Sequence, residues 1–238
     1  MNIYSLIPNA VKERIRRRAG VVTMQGRLQN LRGAGFAPRK IIDAGAYHGE
    51  WAQMAVRIFP KASLLLIEPQ PHLAPHLAAY CSTLPSARFR AALLSSVRGE
   101  AQFFLQESNS RIVMDPQNWP ADRLVSIRTE PLADIVAAEN FADCDFLKLD
   151  LQGHELDALA GAGALFGQVE VILMECSWLP IGPVPLAAEV IATVSARGYQ
   201  LYDVMGFNYR PLDRALWQTD FLFVRQNSPL LARQHDWS

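Results

Sequence analysis

What the sequence lacks narrows the reading before any motif is considered. The 238-residue chain has no excess of charge, with 23 basic residues against 23 acidic ones. The molecule as a whole therefore offers a nucleic-acid backbone no long-range attraction, and nucleic acid is not an expected partner. Long apolar runs are missing too. Stretches such as Leu64–Ile67 and Val169–Met174 stop far short of the ~20 residues that span a bilayer, so no transmembrane helix is expected. Cysteine is scarce: Cys81, Cys144 and Cys176 are odd in number and show no CxxC spacing. They read as small buried hydrophobes rather than as a disulfide framework. The first residues carry no extended apolar core followed by a small-residue cleavage site, which leaves the cytoplasm as the expected location. Internal repeats and low-complexity linkers are absent.

What is present falls into two parts, an N-terminal helical cap or lid over residues 1–32 and a main domain over 33–238. In the first thirty residues Lys12, Arg14, Arg16, Arg17, Arg18 and Arg27 face a single acid, Glu13, while Ile3, Leu6, Ile7, Val11 and Ile15 recur at helical intervals. The pattern predicts an amphipathic basic helix that packs on the main domain, covers the active site or touches an anionic membrane surface. After Pro38 short β-rich runs alternate with helical stretches, the pattern of a doubly wound α/β fold with a mostly parallel sheet. Strands are predicted at Ile41–Asp43, Leu64–Glu68, Arg88–Leu94, Phe146–Asp150 and Val171–Glu175, with further strands at Glu100–Gln106 and Arg123–Thr129. Gln200–Val204 and Phe221–Val224 read as an antiparallel closing hairpin. Helices are predicted at Glu50–Ile58, Pro71–Tyr80, His154–Ala160 and Leu186–Arg197.

Four of these strands end on an acid: Asp43, Glu68, Asp150 and Glu175. In open α/β sheets ligands bind beyond the carboxyl ends of the strands, near the switch in strand order, so the four should crowd one edge. The turn Asp43-Ala44-Gly45-Ala46-Tyr47-His48-Gly49 follows the first strand, and its glycines allow a sharp bend close to a ligand. It is not the GxGxxG that admits a dinucleotide pyrophosphate. S-adenosylmethionine carries no phosphate, so this turn, with Asp43, Gly45, Tyr47 and Gly49, suits that cofactor better. Glu68, about 20 residues on, stands where a carboxylate accepts hydrogen bonds from ribose hydroxyls.

Several strings carry a family resemblance: Ile42-Asp43-Ala44-Gly45-Ala46 with Gly49, Phe59-Pro60, Glu68-Pro69-Gln70-Pro71, and above all Leu147-Lys148-Leu149-Asp150-Leu151-Gln152-Gly153-His154-Glu155-Leu156. With Gly161-Ala162, Gly198-Tyr199 and Gln218-Thr219-Asp220-Phe221 behind them, the chain resembles the FkbM family of methyltransferases from about Met24 to Ser228. The resemblance implies a class I methyltransferase (Rossmann-like) fold, with a seven-stranded sheet that ends on an antiparallel C-terminal strand. It also implies methyl transfer from S-adenosylmethionine to a hydroxyl of a sugar, a glycolipid or a natural product.

Such a transfer requires an aligned acceptor and a group to take its proton. Asp150, His154 and Glu155 are the catalytic candidates, with Asp150 also beside the cofactor; a neutral imidazole would suit His154 to the work of a base. Each has a plainer role open to it: Asp150 orienting a loop, His154 packing, Glu155 satisfying free amides in the first turn of a helix. Glu175 and Asp220 are candidates for acceptor contact. Ser108-Asn109-Ser110 and Asn208-Tyr209-Arg210 offer polar loops, and Trp178, Trp217 and Tyr209 offer aromatic faces for a sugar ring. His72 and His76 stand at metal spacing but lack a third ligand, so no metal is expected. The rival readings are a nicotinamide-dependent oxidoreductase and a non-catalytic ligand-binding module on the same fold.

Overall fold

The computed structural model describes residues 23–182 and 184–232. The basic segment expected to form a cap or lid lies largely outside them. Helix α1 (Met24–Gly33) begins where Thr23 caps it, the hydroxyl accepting the Gly26 N–H at 3.0 Å. This helix spans the expected boundary at residue 32, and Leu28 and Leu31 sink into the main core.

From there strand and helix alternate. The chain runs through β1 (Lys40–Ala44), α2 (Glu50–Ile58), β2 (Ser63–Ile67), α3 (Ala74–Ser82) and β3 (Ala87–Arg90). Next come β4 (Leu93–Leu94), β5 (Gly99–Phe104), β6 (Arg111–Ile112), β7 (Leu124–Glu130) and α4 (Leu132–Ala138). The remainder is β8 (Phe146–Leu149), α5 (Glu155–Ala160), β9 (Val171–Ser177), α6 (Ala187–Ser195), β10 (Tyr199–Tyr209) and β11 (Leu216–Arg225). Seven strands form one sheet in the order β10-β11-β9-β8-β1-β2-β3, in which β11 runs antiparallel to both neighbours. The doubly wound α/β architecture and the antiparallel C-terminal strand are as expected. The order reverses between β1 and β8, which pair in parallel.

Both faces of the sheet are covered, which explains why its central strands are apolar without alternation. Ile41, Leu64, Leu66, Phe146 and Leu173 join one core with α1, α2 and α3. Ile42, Leu65, Leu147, Leu149 and Ile172 join a second core on the opposite face. Helix α4, not predicted from the sequence, packs into this second core through Leu132, Ile135 and Val136.

Three boundaries differ from expectation, each for a pairing reason. The run Arg88–Leu94 is two strands: β3 is the edge of the main sheet, while β4 turns away to pair with β7. A smaller sheet of order β4-β7-β5-β6 results, built on the additional strands that the sequence indicated. Strand β9 continues to Ser177 because β11 pairs with it up to Gln218, so Glu175 lies inside the strand, opposite Asp220. Asp43 likewise lies inside β1 rather than beyond its end. Among the described residues no helix is long and apolar enough to cross a membrane.

Candidate active site

The reversal of strand order opens a crevice beyond the carboxyl ends of β1 and β8, where open α/β sheets bind ligands. Gly45 turns the chain out of β1 at φ 76°, and a β-carbon there would stand 1.9 Å from the Asp150 carbonyl oxygen. Glycine is thus required because two backbones touch. The Gly45 and Ala46 N–H groups donate to the Ile67 carbonyl, and Tyr47 adopts φ 47°. Gly49, at φ 79°, starts α2. Just after β2, the buried Glu68 carboxylate ties this turn in place: Oε2 accepts the Tyr47 N–H at 2.9 Å and Oε1 the Gln70 N–H at 3.1 Å. Burial raises its pKa against the pull of those two amides.

Beneath the turn lies a buried ion pair. Asp43 and Lys148 are register partners on β1 and β8, and Lys148 Nζ is 3.0 Å from Asp43 Oδ1, 3.5 Å from Asp150 Oδ2, and donates to the Gly45 carbonyl at 2.9 Å. Burial pulls the ammonium toward neutrality, but the two carboxylates overcome it and its pKa is raised. Asp43 is raised as well, by burial above all. Its contact with Lys148 lacks hydrogen-bond geometry, so neither carboxylate oxygen has a hydrogen-bond partner among the described residues.

Beyond β8 the loop to α5 carries the remaining candidates. Asp150 keeps 39% of its side-chain surface exposed, and its Oδ1 accepts from Gln152 Nε2 at 3.0 Å. Glu155 is fully engaged in holding this loop, its carboxylate accepting the N–H of Leu151 at 2.8 Å and of Gly153 at 3.1 Å. Burial pushes its pKa up to about 7. His154 opens α5, and burial lowers its pKa despite Asp157, which favours the neutral ring. Glu175 Oε2 accepts from Gln218 at 3.0 Å, and burial pushes its pKa up to about 9.

A cavity of about 400 Å³ fills the crevice, within the range of small-molecule sites. Of the expected residues, Gly45, Tyr47, Glu68, Asp150, His154 and Glu175 line it. Four others do not. Asp43 is buried beneath the turn, Gly49 packs against Leu77 and Tyr80, and Glu155 faces its own loop. Asp220 lies against Gly206, where a β-carbon would stand 1.8 Å from its Oδ2, and burial pushes its pKa up to about 7. These four therefore stand behind the cavity wall rather than on it. The polar stretch Ser108–Ser110 lines the cavity, as do Asn208 and Trp217, whereas Trp178, Tyr209 and Arg210 do not. Trp178 instead donates its indole N–H to Thr219, and Arg210 pairs with Asp213. No group of three or more His, Cys, Asp or Glu that could hold a metal occurs among the described residues.

Sequence reasoning gave no site role to Lys148, Gln152, Gln218 or Trp51, all on the cavity wall. It missed as well that the small sheet closes the cavity through Leu93, Phe103 and Ile112. For Lys148 a signal was present, since it is the single charge in the apolar strand Phe146–Leu149.

The geometry fits S-adenosylmethionine. Each Glu68 oxygen accepts one backbone N–H and keeps a lone pair for a ribose hydroxyl. The glycine turn lets backbone approach a ligand without a side chain between.

Comparisons with known proteins agree. A family model described as "Methyltransferase FkbM domain" matches residues 43–201, more than half of the chain. A 2-O-methyltransferase, NoeI of Sinorhizobium fredii, is 26% identical over 165 residues, covering 62% of this chain and 68% of that protein. Solved structures with a similar course include the N-methyltransferase NodS of Bradyrhizobium japonicum, at 10% identity and TM-score 0.46 over 84% of this chain and 93% of that one. Another is magnesium protoporphyrin IX methyltransferase of Synechocystis, also at 10% identity and TM-score 0.46, over 92% and 85%. Likenesses that distant carry no weight beside the strand order itself. The chain belongs to the FkbM methyltransferase family and takes S-adenosylmethionine as its methyl donor.

Proposed function

We propose that the protein is an O-methyltransferase acting on a hydroxyl of a sugar, a glycolipid or a natural product, with Asp150 as the group that receives the hydroxyl proton. One observation carries this reading. Asp150 stands at the carboxyl end of β8 on the cavity wall, partly exposed, with one oxygen held by Gln152 and the other near Lys148. Gly45, Tyr47 and Glu68 would hold the cofactor, and Glu175 would contact the acceptor. When bound, S-adenosylmethionine supplies a methyl carbon already activated by its sulfonium. What remains for the protein is to align the acceptor, exclude water and take up one proton. Neutral His154 is the second candidate for that proton. The O-methyltransferase among the relatives supports the choice of oxygen as acceptor.

In the same reading residues 33–238 are the methyltransferase domain and 1–32 a cap whose contacts lie mostly outside the described residues. The cytoplasm is its proposed location, supported by three buried cysteines that form no disulfide. The test is transfer of a labelled methyl group from S-adenosylmethionine to a panel of hydroxylated sugars, glycolipids and polyketides. Asp150→Asn should lower kcat by roughly 10² or more while the cofactor Kd stays within a few-fold. A kcat and Kd that fall together would make Asp150 a cofactor ligand instead. Cofactor binding without transfer to any hydroxyl would favour a non-catalytic module.

A further inference from the structure

Asp150 and Glu175 share one wall of the cavity, and what stands between them is an amide rather than a cation. Gln152 Nε2 donates to Asp150 Oδ1 at 3.0 Å and to Glu175 Oε2 at 3.4 Å. Gln218 Nε2, reaching in from β11, donates to the same Glu175 Oε2 at 3.0 Å. Oε1 of Glu175 makes no hydrogen bond among the described residues. Gln152 reaches its place from φ 53°, a left-handed conformation that residues with a side chain rarely adopt. Glu155 fastens the backbone on both sides of it, at Leu151 and Gly153.

The charges that face Glu175 come from four places: Lys148 from β8, Asp150 from the loop after it, Glu155 from α5 and Asp220 from β11. Lys148 is the one cation among them, and it is committed to Asp43, Asp150 and the Gly45 carbonyl. Burial, followed by the neighbouring carboxylates, makes ionisation of Glu175 unfavourable.

We propose that Glu175 works as a neutral carboxylic acid: the two glutamine amides fix Oε2 as its carbonyl, and the Oε1 hydroxyl donates a hydrogen bond to an acceptor oxygen beside the hydroxyl that is methylated. Glu175 is then the residue that selects the acceptor, and Gln152 and Gln218 are its positioning residues. The acceptor class is a neutral vicinal diol or hydroxy ether. Acceptors with a phosphate or carboxylate next to the reacting hydroxyl meet Asp150 and Glu175 there, with Lys148 already committed, and are disfavoured. The choice of acceptor rests on the O-methyltransferase reading; the protonation state does not.

Infrared difference spectroscopy on the full chain at pH 7 decides the protonation state. The wild type minus Glu175→Gln spectrum should contain a protonated-carboxyl C=O band, and its absence overturns the proposal. Gln218→Leu and Gln152→Leu should move that band to higher frequency, since each removes a donor from the carbonyl. An unmoved band overturns the assignment of Oε2 even if Glu175→Gln fails to fold. Asp150→Asn removes a neighbouring negative charge and should make the band titrate away at lower pH. For the acceptor, rates with cis-1,2-cyclohexanediol and cyclohexanol are compared in the presence of S-adenosylmethionine. The diol should be favoured in kcat/KM by about tenfold, the preference surviving in Glu175→Gln, which keeps a donor, and vanishing in Glu175→Leu. Equal rates overturn the selecting role. If the cofactor binds and neither these alcohols nor any hydroxyl of the sugar, glycolipid and polyketide panel is methylated, the O-methyltransferase reading falls and the acceptor half with it, whatever the infrared spectrum gives.

Discussion

Replacing Lys148 by methionine tests the ion pair on which the site rests. The side chain keeps its length and apolar stem, so packing against Trp51 changes little, but Asp43 loses its counter-ion while remaining fully buried. Removing one partner from a buried pair costs about 3–5 kcal/mol, because the other charge is left uncompensated. In a chain of this size that corresponds to a fall in Tm on the order of 10 °C. The effect carries a sign in pH. The folded-state pKa of Asp43 is raised, so its contribution to stability is fully present below the unfolded carboxylate value and is lost as pH rises through the folded value. Without Lys148 that folded value climbs further. The deficit of Lys148→Met relative to wild type should therefore be smallest near pH 4 and grow toward pH 8. Urea unfolding at several pH values measures it, with Asp43→Asn and the double variant completing a cycle. The double variant should recover much of the loss. Losses that add to within about 0.5 kcal/mol would refute the pairing, as would a deficit independent of pH.

Three further outcomes follow from the same contacts. Glu68→Gln should weaken S-adenosylmethionine binding by tenfold or more in a calorimetric titration, since charge-assisted hydrogen bonds contribute about 1.5–3 kcal/mol; an unchanged Kd would remove Glu68 from the ribose. Gly45→Ala should destabilise the fold by about 2 kcal/mol or more in urea unfolding, because the added carbon meets the Asp150 carbonyl and the φ of 76° is strained for alanine; wild-type stability would show that the turn can open. The Glu155 carboxyl is raised to about 7, so its share of stability is present at low pH and lost as pH rises through that value. Glu155→Gln should accordingly gain on wild type in stability between pH 5 and pH 8, and a constant difference would refute the buried-acid account.

Much of the architecture was legible because sheet burial leaves a direct trace. Phe146–Leu149 and Glu50–Ile58 fall where the sequence put them, since a short, mostly apolar run suits a strand buried on both faces and an amphipathic helix shows its period of about 3.6 residues. Strand partners left no such trace: the run Arg88–Leu94 looks continuous in sequence, yet its two halves serve different sheets. Side-chain direction was equally hidden. Asp43 and Glu68 both follow apolar runs, but Asp43 is one residue short of the strand end and points into the core, whereas Glu68 is one residue past it and reaches the cavity. Glu155 stood in the most specific string of the chain, and its carboxylate accepts the amides of Leu151 and Gly153 in the loop, contacts that no sequence pattern announces. Gln152 and Gln218 stood in the strings that carry the resemblance but had no charge to suggest a role, and their meaning appears only once Asp150 and Glu175 are seen to share a wall.

That shared wall sets Asp150 apart from the other acids of the site. Asp43 takes the closer contact with Lys148, 3.0 Å against 3.5 Å, and is sealed from the cavity. Glu155 gives its carboxylate to backbone amides, and Asp220 is pressed against Gly206. Asp150 alone among the four combines exposure to the cavity with a distant cation and a single amide donor. A carboxylate so placed can meet a ligand hydroxyl in the cavity, which is why Asp150, and not the other three, is the proposed proton acceptor. Closer contact with Lys148 would have occupied its second oxygen, and deeper burial would have removed it from the cavity.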